Sequence, residues 1–431
     1  MDRTIQPELK SNDLHDIQRP ELHTMKNGVA MNCVHVKDTQ LLRIDIMFKG
    51  GQWVQNSPLQ AKFALSQLRY GSAEYDKKRI SELIDYYGAS IQTRVNLSYS
   101  VITLTVLSKF LRQALAILRS VITSPIYEEE QLRIVLSQAK TSYAVSLETV
   151  DTHSLQLFYK SLFGSEHPLG VYPLLSDYDA LTTEQLFEYH QKYLHSGNAT
   201  LYLTGDYDQA TISIVEDCFG ADKWGCSDKS VIFDSFRCYP VNTTQELRQT
   251  VSVANSSHQS SIKMGCLLPS RKNADYYALS LFTTIIGGYF GSRLMSSVRE
   301  TYGYTYDIHS VISQIPHHCA FVVTTETAPQ NVEAVIKEVK KQIRLLAQVP
   351  VTDEELRIVK NYVYGNYCRS TEGGFSLPSA MMKLEALGLD LDTVRKEQYL
   401  IQASTPETIL ECANKYIKED SLLTCIAECA R

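Results

Sequence analysis

Two stretches of this chain occur twice. EEEQLRIV at 128–135 returns as TDEELRIV at 352–359, an offset of 224, and LTTEQLFEYHQKYL at 181–194 returns as STPETILECANKYI at 404–417, an offset of 223. The second pair aligns Glu184 with Glu407, Lys192 with Lys415 and Tyr193 with Tyr416, and a proline precedes each copy of the first, Pro125 and Pro350. Independent matches at nearly one offset imply two homologous halves that must share an architecture. A length of 431 residues agrees, because single cores rarely grow beyond roughly 250 residues.

The order of elements is also repeated. In the first half LLRIDIMFKGG places Leu42, Ile44, Ile46 and Phe48 on one face of a strand, followed by helical patterns near 58–70 and 76–87. SIQTRVN and SYSVITLTVL read as strands, KFLRQALAILRSVI as a helix closed by Pro125, and 128–146 as a further helix. The second half gives strands near 249–268, helices near 275–287 and 292–301, strands near 304–313 and 318–326, and a helix in NVEAVIKEVKKQIRLL. That last helix sets Val332, Val335, Ile336, Val339, Ile343 and Leu346 on one stripe. Strand pairs alternating with helix pairs predict an α+β fold of two halves, each a mainly antiparallel sheet with helices on one face. GADKWGCSDKSVIFDSF at 220–236 loses the periodicity, which sets the halves at 1–235 and 236–431.

Composition removes several classes of function. Net charge is −6 and the cations are spread along the chain, so no nucleic-acid footprint is present. No membrane-spanning stretch occurs, and the polar opening MDRTIQPELKSNDLHDIQRPELH makes a cytoplasmic location the expectation. Ten cysteines lie scattered without a C-x-x-C pair, suiting reduced thiols, with Cys425 and Cys429 the one close, structural pair. His190 with His195 and His317 with His318 lack a third ligand, and His167 in HPLG is suited to bracing a turn. Neither G-x-S-x-G nor a Ser/His/Asp grouping can be assembled.

The segment GGYFGSRLMSSVRETYGYTYD at 287–307 carries the chemistry. Its glycines have neither P-loop nor dinucleotide-binding spacing, so they serve a tight turn or a close backbone approach. Arg299 has an ordinary explanation as a cation at a helix C-terminus, with Gly303 as the cap. Tyr306, alternating with Tyr304 and Ile308, reads equally as strand packing.

This segment resembles the glycine-containing loop, V-R-E helix end and Gly-x-x-Tyr strand start in the second half of pitrilysin-type zinc peptidases, the insulinase and processing-peptidase family, and the likeness covers roughly residues 25–430, including HPLG at 167–170, YLTGD at 202–206 and the run from Ile44 to Ser72. The resemblance implies a zinc motif H-x-x-E-H on the first helix and a glutamate ligand on a later one. Here QAKFALSQLRYGS puts Lys62 and Ser66 at the histidine positions and Leu65 at the glutamate, while LSQAK puts Gln138 near the last ligand. Lysine, serine and glutamine are not a zinc donor set, and Leu65 cannot act as a base. No metal is expected in this chain. Lys62 is either solvated or projects a fixed charge into the former metal pocket.

In two-subunit members of the family an Arg and a Tyr from one chain face the zinc-bearing half of the other, and Arg299 and Tyr306 match that pair. The resemblance therefore implies a subunit without catalytic residues of its own, working on unfolded peptide as a heterodimer with a homologous partner that carries zinc. The alternatives are a structural core-type scaffold, in which Arg299 and Tyr306 are remnants, and a homodimeric peptide-binding module that does not hydrolyse.

Overall fold

A computed structural model of the chain describes residues 16–225, 238–241, 246–254 and 258–430. The proposed boundary at 235, the first fifteen residues and Cys226 lie outside the described residues. The other nine cysteines are free thiols.

The first half builds a six-stranded sheet from β1 (Glu21–Thr24), β2 (Ala30–His35), β3 (Leu41–Lys49), β4 (Ser90–Val95), β5 (Tyr99–Leu107) and β6 (Ala199–Gly205), in the order β1-β2-β6-β3-β5-β4. The second builds β7 (Arg248–Val253), β8 (Ser260–Pro269), β9 (Ile308–Gln314), β10 (His318–Thr327) and β11 (Leu423–Cys429) into the order β7-β11-β8-β10-β9. Without β1 the two orders are the same. Among the described residues, only β2 with β6 and β7 with β11 pair in parallel. The offsets of the sequence repeat reappear, since β6 and β11 begin 423 − 199 = 224 residues apart and the helices Glu129–Ser146 and Asp353–Thr371 begin 353 − 129 = 224 apart. The chain is thus α+β, two copies of one topology.

The predicted apolar face of β3 holds. Leu42, Ile44, Ile46 and Phe48 are fully buried with Ile102, Leu104, Leu201 and Leu203 beneath helices of the first half, including Gln60–Ser66 and Leu111–Thr123. In the second half Ile262, Met264, Phe321, Val323 and Ile426 pack in the same way under helices such as Tyr276–Thr283 and Val332–Gln348.

Strand residues alternate faces, so each sheet also has an opposite apolar face to bury. The halves cover these faces for each other. The helix Val150–Phe163, from the first half, lays Phe158, Leu162 and Phe163 on Ala320, Val322, Leu423 and Cys425 of the second sheet. Conversely, Leu377–Ala386, from the second half, lays Met382 and Ala386 on Met47, Tyr99, Val101 and Tyr202 of the first. Gly265 makes room for Phe158, because a Cβ there would meet its ring at 3.0 Å and the Phe321 carbonyl at 1.9 Å.

Polar contacts fix both exchanged helices. The buried Lys263 ammonium bonds Asp151 and Thr324, and Ser154 Oγ lies 2.8 Å from Ser261 Oγ. Glu385 accepts hydrogen bonds from Thr200 Oγ1 at 2.9 Å and Tyr202 Oη at 2.6 Å.

At the seam His167 braces its turn as expected. Its Nδ1 accepts the Leu169 amide at 3.1 Å, and its ring stacks on Phe163 at 4.6 Å with Trp53 edge-on at 5.2 Å. Burial first, then the neighbouring His318 and His317, lowers its pKa from 6.5 to about 4. Unfolded, this histidine takes up a proton near pH 6.5; folded, it stays neutral until about pH 4. Its contribution is therefore complete above pH 6.5 and falls between 6.5 and 4, by about 1.4 kcal/mol for each pH unit. Urea unfolding at several pH values should show His167→Asn flattening the acid-side slope by about one proton; an unchanged slope contradicts this role.

Candidate functional site

The 287–307 segment lies beside the β9 edge of the second sheet, and its local chemistry sets its path. The helix Tyr276–Thr283 widens into a π-turn at Thr284–Gly288, where Gly287 crosses the sheet edge. A Cβ on Gly287 would sit 2.7 Å from the Ser310 amide nitrogen, so the close backbone approach requires glycine there. The next helical stretch, Met295–Thr301, is also π-wound, with the Tyr302 amide donating to the Ser297 carbonyl at 3.0 Å. π-turns of this kind are often found at functional sites.

Gly303 ends that helix with φ +63° and donates its amide to the Arg299 carbonyl at 3.1 Å, so the expected cap is present. Gly303→Ala should cost about 1–2 kcal/mol for the left-handed conformation, read as a lower melting temperature.

Tyr306 is not on a strand. β9 begins at Ile308, and the tyrosine stands in its lead-in, 86% exposed. Three threonine hydroxyls pin that lead-in to the end of β10. Thr305 Oγ1 donates to the Glu326 carbonyl at 2.6 Å, Thr325 Oγ1 to the Asp307 carbonyl at 2.7 Å, and Thr327 Oγ1 to the Tyr304 carbonyl at 2.6 Å. An exposed side chain on backbone held in this way points out of the fold with little freedom at its root.

Arg299, in the last turn of the π-wound helix, is half-buried. Its guanidinium lies 5.0 Å from the ring centre of Phe290 and 5.1 Å from that of Tyr306. It makes no hydrogen bond or ion pair with any described residue. Arg293, six residues earlier, is by contrast tied to Glu355 at 2.8 and 2.9 Å. Two aromatic faces therefore hold the Arg299 plane while leaving its five N–H donors for another molecule. The structure brings the predicted pair together on the surface and adds Phe290, 66% exposed, as a third member. Neither Phe290 nor the threonine pins carry a local sequence signal: the contacts are long-range or lie in an irregular loop.

The four positions of the zinc motif present a different surface. Leu65 is fully buried in the first half's core. Lys62 and Gln138 are exposed, and the Lys62 Nζ lies over the Phe63 ring at 5.7 Å. Ser66 turns its hydroxyl to the Phe63 carbonyl of its own helix at 3.5 Å. An ammonium, an alkyl group, a hydroxyl bonded to its own helix and a neutral amide do not fit zinc, which takes thiolate, imidazole or carboxylate donors. Among the described residues no group of three or more His, Cys, Asp or Glu is arranged to hold a metal.

The chain therefore has two sheets of one topology, a half-buried Arg299 beside an exposed Tyr306, and a first helix that offers no zinc donor set. Residues 180–363 match the Peptidase M16 inactive domain, a span that contains Arg299 and Tyr306 and excludes the helix with Lys62, Leu65 and Ser66. An uncharacterized zinc protease of Rickettsia felis is 24% identical over 359 residues, 81% of this chain and 83% of the relative. Another, from Bacillus subtilis, is 21% identical over 363 residues, 83% and 85%. The fold is that of a peptidase M16 inactive domain from Pseudomonas fluorescens, with a TM-score of 0.83 at 21% identity over 96% of this chain and 99% of that one. A protease from Helicobacter pylori follows with a TM-score of 0.81 at 17% identity, 95% and 99% covered. The chain is thus similar to peptidase M16 proteins, through the inactive-domain match over 180–363 and through its fold. No helix among the described residues is long and apolar enough to cross a membrane.

Proposed function

We propose that this chain is the non-catalytic subunit of a heterodimeric zinc peptidase, lending Arg299 and Tyr306 to an active site completed by a homologous partner that supplies the metal and the general base. The observation that carries this reading is the Arg299 guanidinium, oriented by Phe290 and Tyr306 with no hydrogen-bond partner among the described residues. A buried structural arginine would have its donors engaged within the fold, as Arg271 does with both oxygens of Glu397 at 2.6 and 2.7 Å.

On an unfolded peptide, two parallel N–H groups of Arg299 grip main-chain carbonyls and fix the segment. The Tyr306 hydroxyl donates to the carbonyl oxygen on which negative charge grows during attack, and so contributes mainly in the transition state. Main-chain recognition gives broad sequence tolerance, with the aromatic faces of Phe290 and Tyr306 favouring apolar neighbours. The test is a titration of this chain into a fixed amount of a zinc-motif homologue, following cleavage of a denatured peptide. Turnover should be absent with this chain alone and rise to a plateau at equimolar mixing; turnover by the homologue that is unaffected by added chain refutes the proposal.

A further inference from the structure

We propose that the cleft between the β4 edge of the first sheet and the exchanged helix Leu377–Ala386 binds a small, multiply charged oxyanion. The cavity measures about 250 Å³ and is lined by Arg94, Asn96 and Tyr99 from the first half and Ser379 and Lys383 from the second, with Arg43 at its wall. Among the described residues no Asp or Glu lines it. Arg43 is engaged, donating to Asp45 at 2.9 Å and to the Phe375 carbonyl at 3.2 Å, and the fully buried Asp45 also accepts from Thr103 Oγ1 at 2.5 Å. Arg94 and Lys383, by contrast, make no hydrogen bond or ion pair with any described residue. Asn96 adds a buried Nδ2 amide with no acceptor among the described residues.

The cleft thus presents an unpaired guanidinium, an unpaired ammonium and an unsatisfied amide, contributed from both of its sides. Cations facing each other across a small cavity repel, and an anion between them turns that repulsion into attraction on both sides. Guanidinium and amide donors match the acceptors of phosphate, and the volume admits a phosphate-sized group but not a folded partner. This is no sample of a generally basic surface, because the chain carries a net charge of −6. Since Arg94 and Lys383 come from opposite halves, an occupant would also fasten the exchanged helix to the sheet edge. The inference is independent of the role assigned to Arg299.

Titration calorimetry of the full chain with inorganic phosphate, against sodium chloride at matched ionic strength, tests it. Saturable uptake of one phosphate per chain is expected, with Arg94→Ala and Lys383→Ala each weakening it about tenfold or more, as loss of a charge-assisted contact does. Lys62→Ala, equally exposed but distant in sequence from the cleft, should leave uptake unchanged. Both lining residues are exposed, so melting in chloride should be unaltered and a folding defect is separable. Heats that match chloride, or uptake unchanged in both lining variants, would overturn the site.

Discussion

Tyr306→Phe, which removes one oxygen atom, is expected to lower kcat of the assembled pair by about 10²- to 10³-fold, the range produced by loss of a single donor to a developing oxyanion. The phenyl ring keeps its place against Arg299, 5.1 Å from the guanidinium, and the threonine pins on its backbone are untouched. Substrate affinity and assembly should therefore stay near wild type, so the loss appears in kcat rather than KM. Arg299→Ala differs in kind. It removes two oriented donors and leaves Phe290 and Tyr306 with nothing between them, so kcat should fall and KM rise together. Arg299→Lys retains the charge but not the planar fork and should recover little. Steady-state kinetics on a denatured peptide separate these outcomes, and a Tyr306→Phe pair with wild-type kcat would remove the tyrosine from the chemistry.

Phe158→Ala should cost about 3–5 kcal/mol, as truncation of a fully buried aromatic does, and should weaken both halves together. Phe158 is encoded in the first half but buried against Val322, Leu423 and Cys425 of the second sheet, directly over Gly265. Its loss opens a cavity under a helix that ties the halves together, and the second exchanged helix makes the reciprocal tie. Trp224 reports on the first half, packed edge-on to Phe48 at 6.0 Å and Phe219 at 5.7 Å. In a Trp53→Phe background its urea transition should move with the far-ultraviolet circular dichroism, which follows every helix. A Trp224 transition unmoved while half the helical signal melts early would mean that the exchange does not couple the halves.

The repeated segments and the stripes of β3 and Val332–Gln348 carried the fold, because burial on one face imposes a period that survives in sequence. All six residues marked on the latter helix are buried. The front elements escaped the repeat for a simple reason. β5 and β10 begin 318 − 99 = 219 residues apart, and the longer helix Val332–Gln348, 17 residues against 13 in Leu111–Thr123, brings the later elements toward 224. The exchange itself could not be read. A helix such as Val150–Phe163 shows which residues are apolar, but nothing local says that the sheet it covers belongs to the other half.

At the site, Arg299 and Tyr306 were singled out only by the resemblance to pitrilysin-type peptidases, since by themselves a helix-end cation and an alternating tyrosine read as ordinary structure. The placement of Tyr306 was not legible, since alternating tyrosines imitate a strand where threonine hydroxyls in fact hold an irregular lead-in. Phe290 was missed because an exposed aromatic in a loop has no period to betray it.

The central claim is that metal and substrate-orienting groups reside in different chains. Native mass spectrometry of this chain alone, of the zinc-motif homologue alone and of the isolated pair, each followed by a cleavage assay, tests it most directly. The account predicts no zinc in the lone chain, one zinc in each pair, and cleavage by the pair alone. Zinc retained by the lone chain, or full cleavage by the homologue without it, would contradict the account.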